Sequence, residues 1–219
     1  MKAMILAAGK GTRLAPLTDT TPKPLLPVKG VPLILRLIEK LRLAGISEVV
    51  VNTYHLGNQI EALLGDGANL GVSVTYSREQ TLLETGGGIK LALPLLAEDT
   101  FILCNADIYS DFALEDLPKH LLPEDLAHLV LVPKPPSRDT GDFSYLAGRI
   151  TARGGDFVYS GIAILHRHLF QDSPEGAFSL RDLLFQATAQ GRVSAQVHHG
   201  LWSDIGTHED YAAVNAKEN

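Results

Sequence analysis

The sequence predicts an α/β fold with a mainly parallel, mixed central sheet flanked on both faces by helices. Three observations carry this expectation. Short apolar runs rich in β-branched residues alternate with segments whose apolar residues recur at helical spacing. The strand-like runs are bounded by Gly, Pro or Asp, and several of the helical segments are closed by Gly. Hydrophobic residues make up 45% of the 219-residue chain and charged residues 20%, enough to bury a sizeable core. Strands that alternate with helices pair mainly in parallel, because each crossover returns the chain to the same end of the sheet.

The elements follow in order. "AMILAA" (3–8) reads as the first strand, and "VPLILRLIEKLRLAG" (31–45) as a helix whose Leu33, Leu37 and Leu41 stripe packs into the core. "EVVVNTY" (48–54) is a strand, "GNQIEALLG" (57–65) a helix, "VSVTYS" (72–77) a strand and "GGGIKLALPLL" (86–96) a helix. "FILCNA" (101–106) is a strand in which Cys104 is a buried small hydrophobe. "LEDLPKHLL" (114–122) carries leucines at helical spacing, and "AHLVLV" (127–132) is again a strand. The segment 132–156 is rich in Pro, Gly and charge, so it predicts a ligand-facing excursion rather than a βα unit. "FVYSGIAIL" (157–165) and "VSAQVHH" (193–199) are strands, "SLRDLLFQATAQG" (179–191) and "HEDYAAVNAKE" (208–218) helices. One domain over 1–219 is expected, without internal repeats.

A formal net charge of −6 argues against holding nucleic acid or an anionic membrane through a broad basic face, so any anionic ligand must be met locally. The single cysteine excludes an intrachain disulfide framework and fits a reducing compartment. The N-terminus lacks a signal-peptide pattern, and no apolar run approaches the roughly 20 residues that cross a bilayer. These features read as a cytoplasmic protein, a monomer or small homo-oligomer, whose partners are small molecules and neither nucleic acid nor membrane. The histidines of "HRH" (166–168) and "HHG" (198–200) lack a zinc pattern.

In such a sheet, ligands sit beyond the carboxyl ends of the strands. The loop "AAGKGTR" (7–13) leaves the first strand there, with Gly9 and Gly11 letting backbone amides approach an anion and Lys10 and Arg13 adding charge. It matches neither G-x-x-x-x-G-K-[ST] nor a complete G-x-G-x-x-G, so on its own it reads either as a phosphate loop or as an ordinary βα turn.

The continuation, "RLAPLTDTTPKPLLPV" (13–28), resembles the signature G-x-G-x-R-L-x-P-L-T followed by P-K-P of the sugar-1-phosphate nucleotidylyltransferases, and "LWSDIGT" (201–207) extends the likeness to the far end of the chain. The resemblance implies a Rossmann-like nucleotidyltransferase fold that joins a sugar 1-phosphate to a nucleoside monophosphate from an NTP, releasing pyrophosphate with Mg²⁺. It sets Ala8, Gly9, Gly11, Thr12, Arg13 and Lys23 against the nucleotide, with Arg13 near the departing pyrophosphate and Lys23 between the α-phosphate and the sugar phosphate. Prolines 22 and 24 restrict the backbone around Lys23, which suits a cation held in place. Glu84, Thr85 and Gly86 are set against the base, and Asp107 and Asp204 hold the metal. Asn105, Lys134, Gly141, Tyr159, Ser160 and Gly161 correspond to sugar-contacting segments.

Two departures stand out. Ala106 replaces a frequent glycine before the first metal carboxylate, and Pro133 replaces an acidic residue. "LETGGGI" (83–89) looks most like a short, single-domain branch that serves cell-wall recycling, which implies UTP and N-acetylmuramate α-1-phosphate as substrates. Mannose 1-phosphate with GTP, and glucose 1-phosphate with UTP or dTTP, are the alternatives. A lactyl carboxylate on the sugar would favour a basic neighbour such as Arg138, Arg149 or Arg153. No acyltransferase activity of an appended repeat domain is expected. A non-catalytic binding module is the reading from another class, and the set Arg13, Lys23, Asp107 and Asp204 favours the enzyme.

Overall fold

The computed structural model describes residues 1–136 and 138–216. Its strands are β1 (Ala3–Leu6), β2 (Pro27–Val28), β3 (Val31–Pro32), β4 (Glu48–Thr53), β5 (Ser73–Arg78), β6 (Thr100–Asn105), β7 (Ile108–Ser110), β8 (Ala127–Pro133), β9 (Phe143–Leu146), β10 (Arg149–Arg153), β11 (Phe157–His166), β12 (Val193–Val197) and β13 (Trp202–Asp204). The helices are α1 (Leu17–Thr20), α2 (Leu33–Leu43), α3 (Gly57–Leu64), α4 (Glu84–Leu96), α5 (Leu180–Ala189) and α6 (His208–Ala216).

Nine strands form one sheet in the order β5-β4-β1-β6-β11-β8-β12-β10-β9. The half from β5 to β6 is parallel, as the βα alternation requires, and β8 also runs parallel to β12. The rest is antiparallel: β11 inserts between β6 and β8 against both, and β10 pairs with β12 and β9. The sheet is thus mixed, with four parallel pairings and five antiparallel ones once β9 against β11 is included. A parallel pair needs a crossover of a dozen or more residues, and the chain reaches β11 from the β9–β10 hairpin without a helix.

Side chains alternate across the sheet. In β6, Phe101 and Leu103 face a core built with α4 and α5, whereas Ile102 and Cys104 face one built with α2 and α3. On α2 the deeply buried residues are Leu33, Ile34, Ile38 and Leu41, so the core-facing stripe lies one residue away from Leu37.

One expectation is corrected and a second is filled in. The segment 114–122 forms only a 3₁₀ turn at Leu114–Asp116. Leu114 and Leu117 are buried by that single turn, Leu122 is exposed, and Pro118 removes the amide that a continuing helix would need. The excursion at 132–156 contains the β9–β10 hairpin, turned by Ala147 and Gly148, both at positive φ (46° and 85°). Two consecutive left-handed residues give the twist that a two-residue hairpin loop needs.

A separate two-stranded ribbon pairs β7 with β13 so that Ile108 faces Asp204. Such a short ribbon is marginal alone. Here the Lys40 ammonium donates to the carbonyls of Ser110 and Phe112, Trp202 Nε1 donates to the Ser160 carbonyl (2.9 Å), and His198 Nε2 meets Asp111 Oδ1 at 2.7 Å.

Candidate active site

The carboxyl ends of β1, β4 and β6 open onto a cavity of about 400 Å³. Its wall brings together Ala8, Gly9, Lys23, Glu84, Thr85, Asn105 and Asp107, residues from four separate stretches of the chain. In the loop after β1, Gly11 takes φ 66°, and its carbonyl accepts from Leu14 N (2.8 Å) and Thr18 Oγ1 (2.9 Å). A Cβ at Gly11 would stand 2.9 Å from Thr18 Cγ2, so only glycine fits the turn. Thr12 opens the 3₁₀ turn that follows. Arg13 lies outside the cavity wall and stands over Gly206, where a Cβ would come within 3.0 Å of its guanidinium.

Lys23 begins a 3₁₀ turn between Pro22 and Pro24 and is buried. Its ammonium lies 2.5 Å from Asp107 Oδ2 and 3.9 Å from Asp204 Oδ1. Asp107 lies two residues past β6 and Asp204 ends β13, and the bond from Ile205 N to the Asp107 carbonyl (3.1 Å) ties the two backbones. Loss of hydration and then the Asp107 charge push the Asp204 carboxyl above its usual range, while Lys23 and Arg13 pull it back. Two carboxylates at such range favour a cation between them. Among the described residues no group of three or more Asp, Glu, His or Cys could hold a metal ion. The oxygen donors Asp107 and Asp204 suit a hard cation that takes few protein ligands and fills its remaining positions with phosphate oxygens and water.

The glycines at 86–88 are closely packed against the protein itself. The Gly86 and Gly87 amides both donate to the Phe178 carbonyl (2.8 and 3.2 Å). A Cβ would lie 2.3 Å from the Phe178 ring at Gly86, 2.1 Å from the Gly176 carbonyl at Gly87 and 2.6 Å from Glu79 Oε1 at Gly88. Glu84, at φ 59°, and Thr85 are the residues of that motif that face the cavity.

A second cavity of about 320 Å³ adjoins the first and shares Leu6, Thr85, Asn105 and Ser179 with it. Tyr159 lines it, with Asp142 and Arg181 as its charged groups. The Tyr159 hydroxyl is buried without a hydrogen-bond partner among the described residues, and burial raises its pKa. Gly161 (φ 85°) packs on Asn105 and Ile108, where any Cβ would collide with Ile108. Ser160 is buried, and its hydroxyl accepts from Ile162 N (3.3 Å). Gly141 lies against the Phe157 backbone, beside Asp142. Lys134 lies in neither cavity wall, its ammonium turned to the Arg138 carbonyl at 3.4 Å. A third cavity, about 440 Å³ and largely apolar, lies behind β7, and its Arg36 and Lys40 are satisfied by backbone carbonyls.

Residues 2–147 match the family described as nucleotidyl transferase. The chain belongs to the nucleotidyl transferase family. Over nearly its whole length this nucleotidyl transferase is also similar to two curated relatives. It is 45% identical over 220 residues to the N-acetylmuramate alpha-1-phosphate uridylyltransferase of Neisseria meningitidis serogroup B, covering 94% of each chain. It is 34% identical over 232 residues to the protein of the same name from Caulobacter vibrioides, covering 98% of this chain and 96% of the relative. Among solved structures, HddC from Yersinia pseudotuberculosis, complexed with GMP-PN, superposes with a TM-score of 0.81 at 26% identity, covering 98% of this chain and 97% of that one.

The geometry of this nucleotidyl transferase adds residues that its sequence did not single out. Asn52, at the end of β4, accepts from Ala7 N (2.7 Å) and donates to Glu79 Oε1 (2.7 Å), while Glu79 Oε2 accepts from Leu83 N (3.0 Å). This relay ties the loop after β1 to the residue before Glu84. Asn52 and Glu79 are both buried, and burial raises the Glu79 pKa. The relay needs an acceptor with two oxygens at 79, which a carboxylate supplies and an amide does not. A polar residue closing the apolar run "EVVVN" was the available signal.

Proposed function

We propose that the protein transfers the uridylyl group of UTP to N-acetylmuramate α-1-phosphate, giving UDP-N-acetylmuramate and pyrophosphate, with Mg²⁺ at Asp107 and Asp204. The supporting observation is the meeting of two cavities at Asn105, beside Lys23 and Asp107, in a chain similar over nearly all its length to relatives bearing that name.

One non-bridging oxygen of the sugar phosphate attacks the α-phosphorus of UTP in line, the bond to the β-phosphate oxygen breaks, and pyrophosphate leaves. Lys23 neutralises charge that builds on the α-phosphate, exchanging its contact with Asp107 for phosphate oxygen, and Arg13 acts on the departing pyrophosphate. The backbone around Gly9 and Gly11 cradles the triphosphate, and Glu84 and Thr85 border the base. Asp107 and Asp204 would hold the metal, which when bound would supply Lewis-acid charge to the phosphate oxygens. The sugar occupies the second cavity, against Asn105 and Tyr159. Such a reaction belongs in the cytoplasm, where nucleotides and reduced thiols coexist, as a step in the recycling of cell-wall sugars.

The test is pyrophosphate release across the four NTPs and dTTP against a panel of sugar 1-phosphates, read as kcat/KM. UTP with the muramate is expected to lead, and EDTA to abolish turnover. A tenfold preference for mannose or glucose 1-phosphate, roughly 1.4 kcal/mol, would remove the substrate assignment and leave the family untouched.

A further inference from the structure

We propose that Arg181 binds the lactyl carboxylate of the sugar and thereby selects N-acetylmuramate α-1-phosphate over the same sugar without the lactyl ether. The inference rests on the function proposed above and concerns the second cavity.

Only two charged residues, Asp142 and Arg181, stand in the described wall of that cavity. Asp142 is engaged: its Oδ2 accepts from Tyr159 N at 3.0 Å, and its Oδ1 lies 3.6 Å from the Arg138 guanidinium. The Arg181 guanidinium has no hydrogen bond or ion pair among the described residues. The three arginines of the excursion are spent elsewhere. Arg149 holds Asp125 (2.8 Å) and the Gly191 carbonyl, Arg153 lies 4.1 Å over the Phe185 ring, and Arg138 faces Asp142.

The backbone at Arg181 is held beside the first cavity, while its side chain is exposed. Arg181 sits in the first turn of α5, whose Leu180 amide donates to Thr85 Oγ1 at 2.9 Å, and Thr85 lines both cavities. The Arg181 amide is taken by the Ser179 hydroxyl (3.3 Å), so the side chain rather than the helix end is what remains for an anion. A guanidinium suits this task because its planar donor fork matches a carboxylate with two parallel bonds. The Tyr159 hydroxyl supports a polar occupant independently: it is a buried donor in the same wall without a partner among the described residues, a state that is costly until a ligand completes it.

The experiment compares kcat/KM for N-acetylmuramate α-1-phosphate with that for N-acetylglucosamine α-1-phosphate, which differs by lacking the lactyl ether, in the parent, Arg181→Leu and Arg181→Lys. The parent is expected to prefer the muramate. In Arg181→Leu the ratio of the two constants should fall about 10- to 100-fold, through KM for the muramate, as expected for the loss of a charge-assisted bond, and Arg181→Lys should recover part of it. The ratio is internal to each variant, so a general loss of active protein does not move it. A parent that prefers the muramate, together with an Arg181→Leu ratio unchanged within twofold, would overturn the role of Arg181 alone. A parent that prefers N-acetylglucosamine α-1-phosphate would overturn the substrate assignment and this role with it.

Discussion

Replacing Asn52 with alanine removes the centre of the relay that joins the loop after β1 to the residue before Glu84. Two bonds of 2.7 Å disappear together, leaving the Ala7 amide without an acceptor and Glu79 Oε1 without a donor. An unsatisfied buried group costs about 1–3 kcal/mol, so the pair amounts to about 2–6 kcal/mol. Asn52 also lines the open 400 Å³ cavity, and water entering from it restores part of the loss, which sets the expectation at about 2–3 kcal/mol. In a chain of this length 1 kcal/mol moves the melting temperature by roughly 2–4 °C, so Asn52→Ala should melt roughly 4–12 °C lower. The loop after β1 and Leu83 are no longer held to one another, so KM for the NTP should rise more than kcat falls. Thermal melting and steady-state kinetics on the same preparation read both. A variant that melts within 2 °C of the parent, roughly the shift expected for 1 kcal/mol or less, and keeps its NTP KM would refute the claim that this relay positions the nucleotide loops.

Other substitutions test the charges. Lys23→Ala should lower kcat about 10²–10³-fold, comparable to losing a preorganised electrostatic donor, and Arg13→Ala should do likewise; near-normal kcat in either would mean that the residue only stands beside the phosphates. Asp204→Asn should abolish most activity and shift its Mg²⁺ dependence, yet leave the metal-free protein at least as stable, because the Asp204 charge is disfavoured by burial and by Asp107; a marked drop in melting temperature would make Asp204 structural. His128 lies between Ser194 Oγ (3.0 Å) and Gln196 Oε1 (2.9 Å), and burial holds its pKa below 6.5. The unfolded chain therefore binds the proton first, so the stability from a neutral His128 is present above pH 6.5 and is lost as pH falls through the folded value. Melting curves across that window should show a smaller slope in His128→Gln, and an equal slope would exclude this group.

Legibility followed sequence distance and element length. The loop after β1, Lys23 between its prolines, Asp107 and Asp204, which the structure brings together, were legible through dense local motifs that resemble those of a known family. The long strands and the main helices were readable because their apolar periodicity is sustained. The β7–β13 ribbon was not, since three residues carry no period. The β9–β10 hairpin was missed because its turn is Ala147–Gly148, which lacks the Asn-Gly or Asp-Gly signature. Glycines 86–88 drew attention to a ligand, whereas their partners, Phe178, Gly176 and Glu79, come from segments that meet only in the folded chain. The same holds for Arg181, whose place beside the second cavity depends on α5 docking against Thr85. The absence of a helix at 114–122 follows from Pro118, which outweighs the leucine spacing.

The most direct measurement of the central claim is a ³¹P NMR spectrum of the purified protein with UTP, N-acetylmuramate α-1-phosphate and Mg²⁺. The account predicts that the sugar monophosphate resonance disappears as two coupled diphosphate signals of UDP-N-acetylmuramate and the pyrophosphate line grow in equal amounts. An unchanged monophosphate resonance, with or without pyrophosphate, would contradict it.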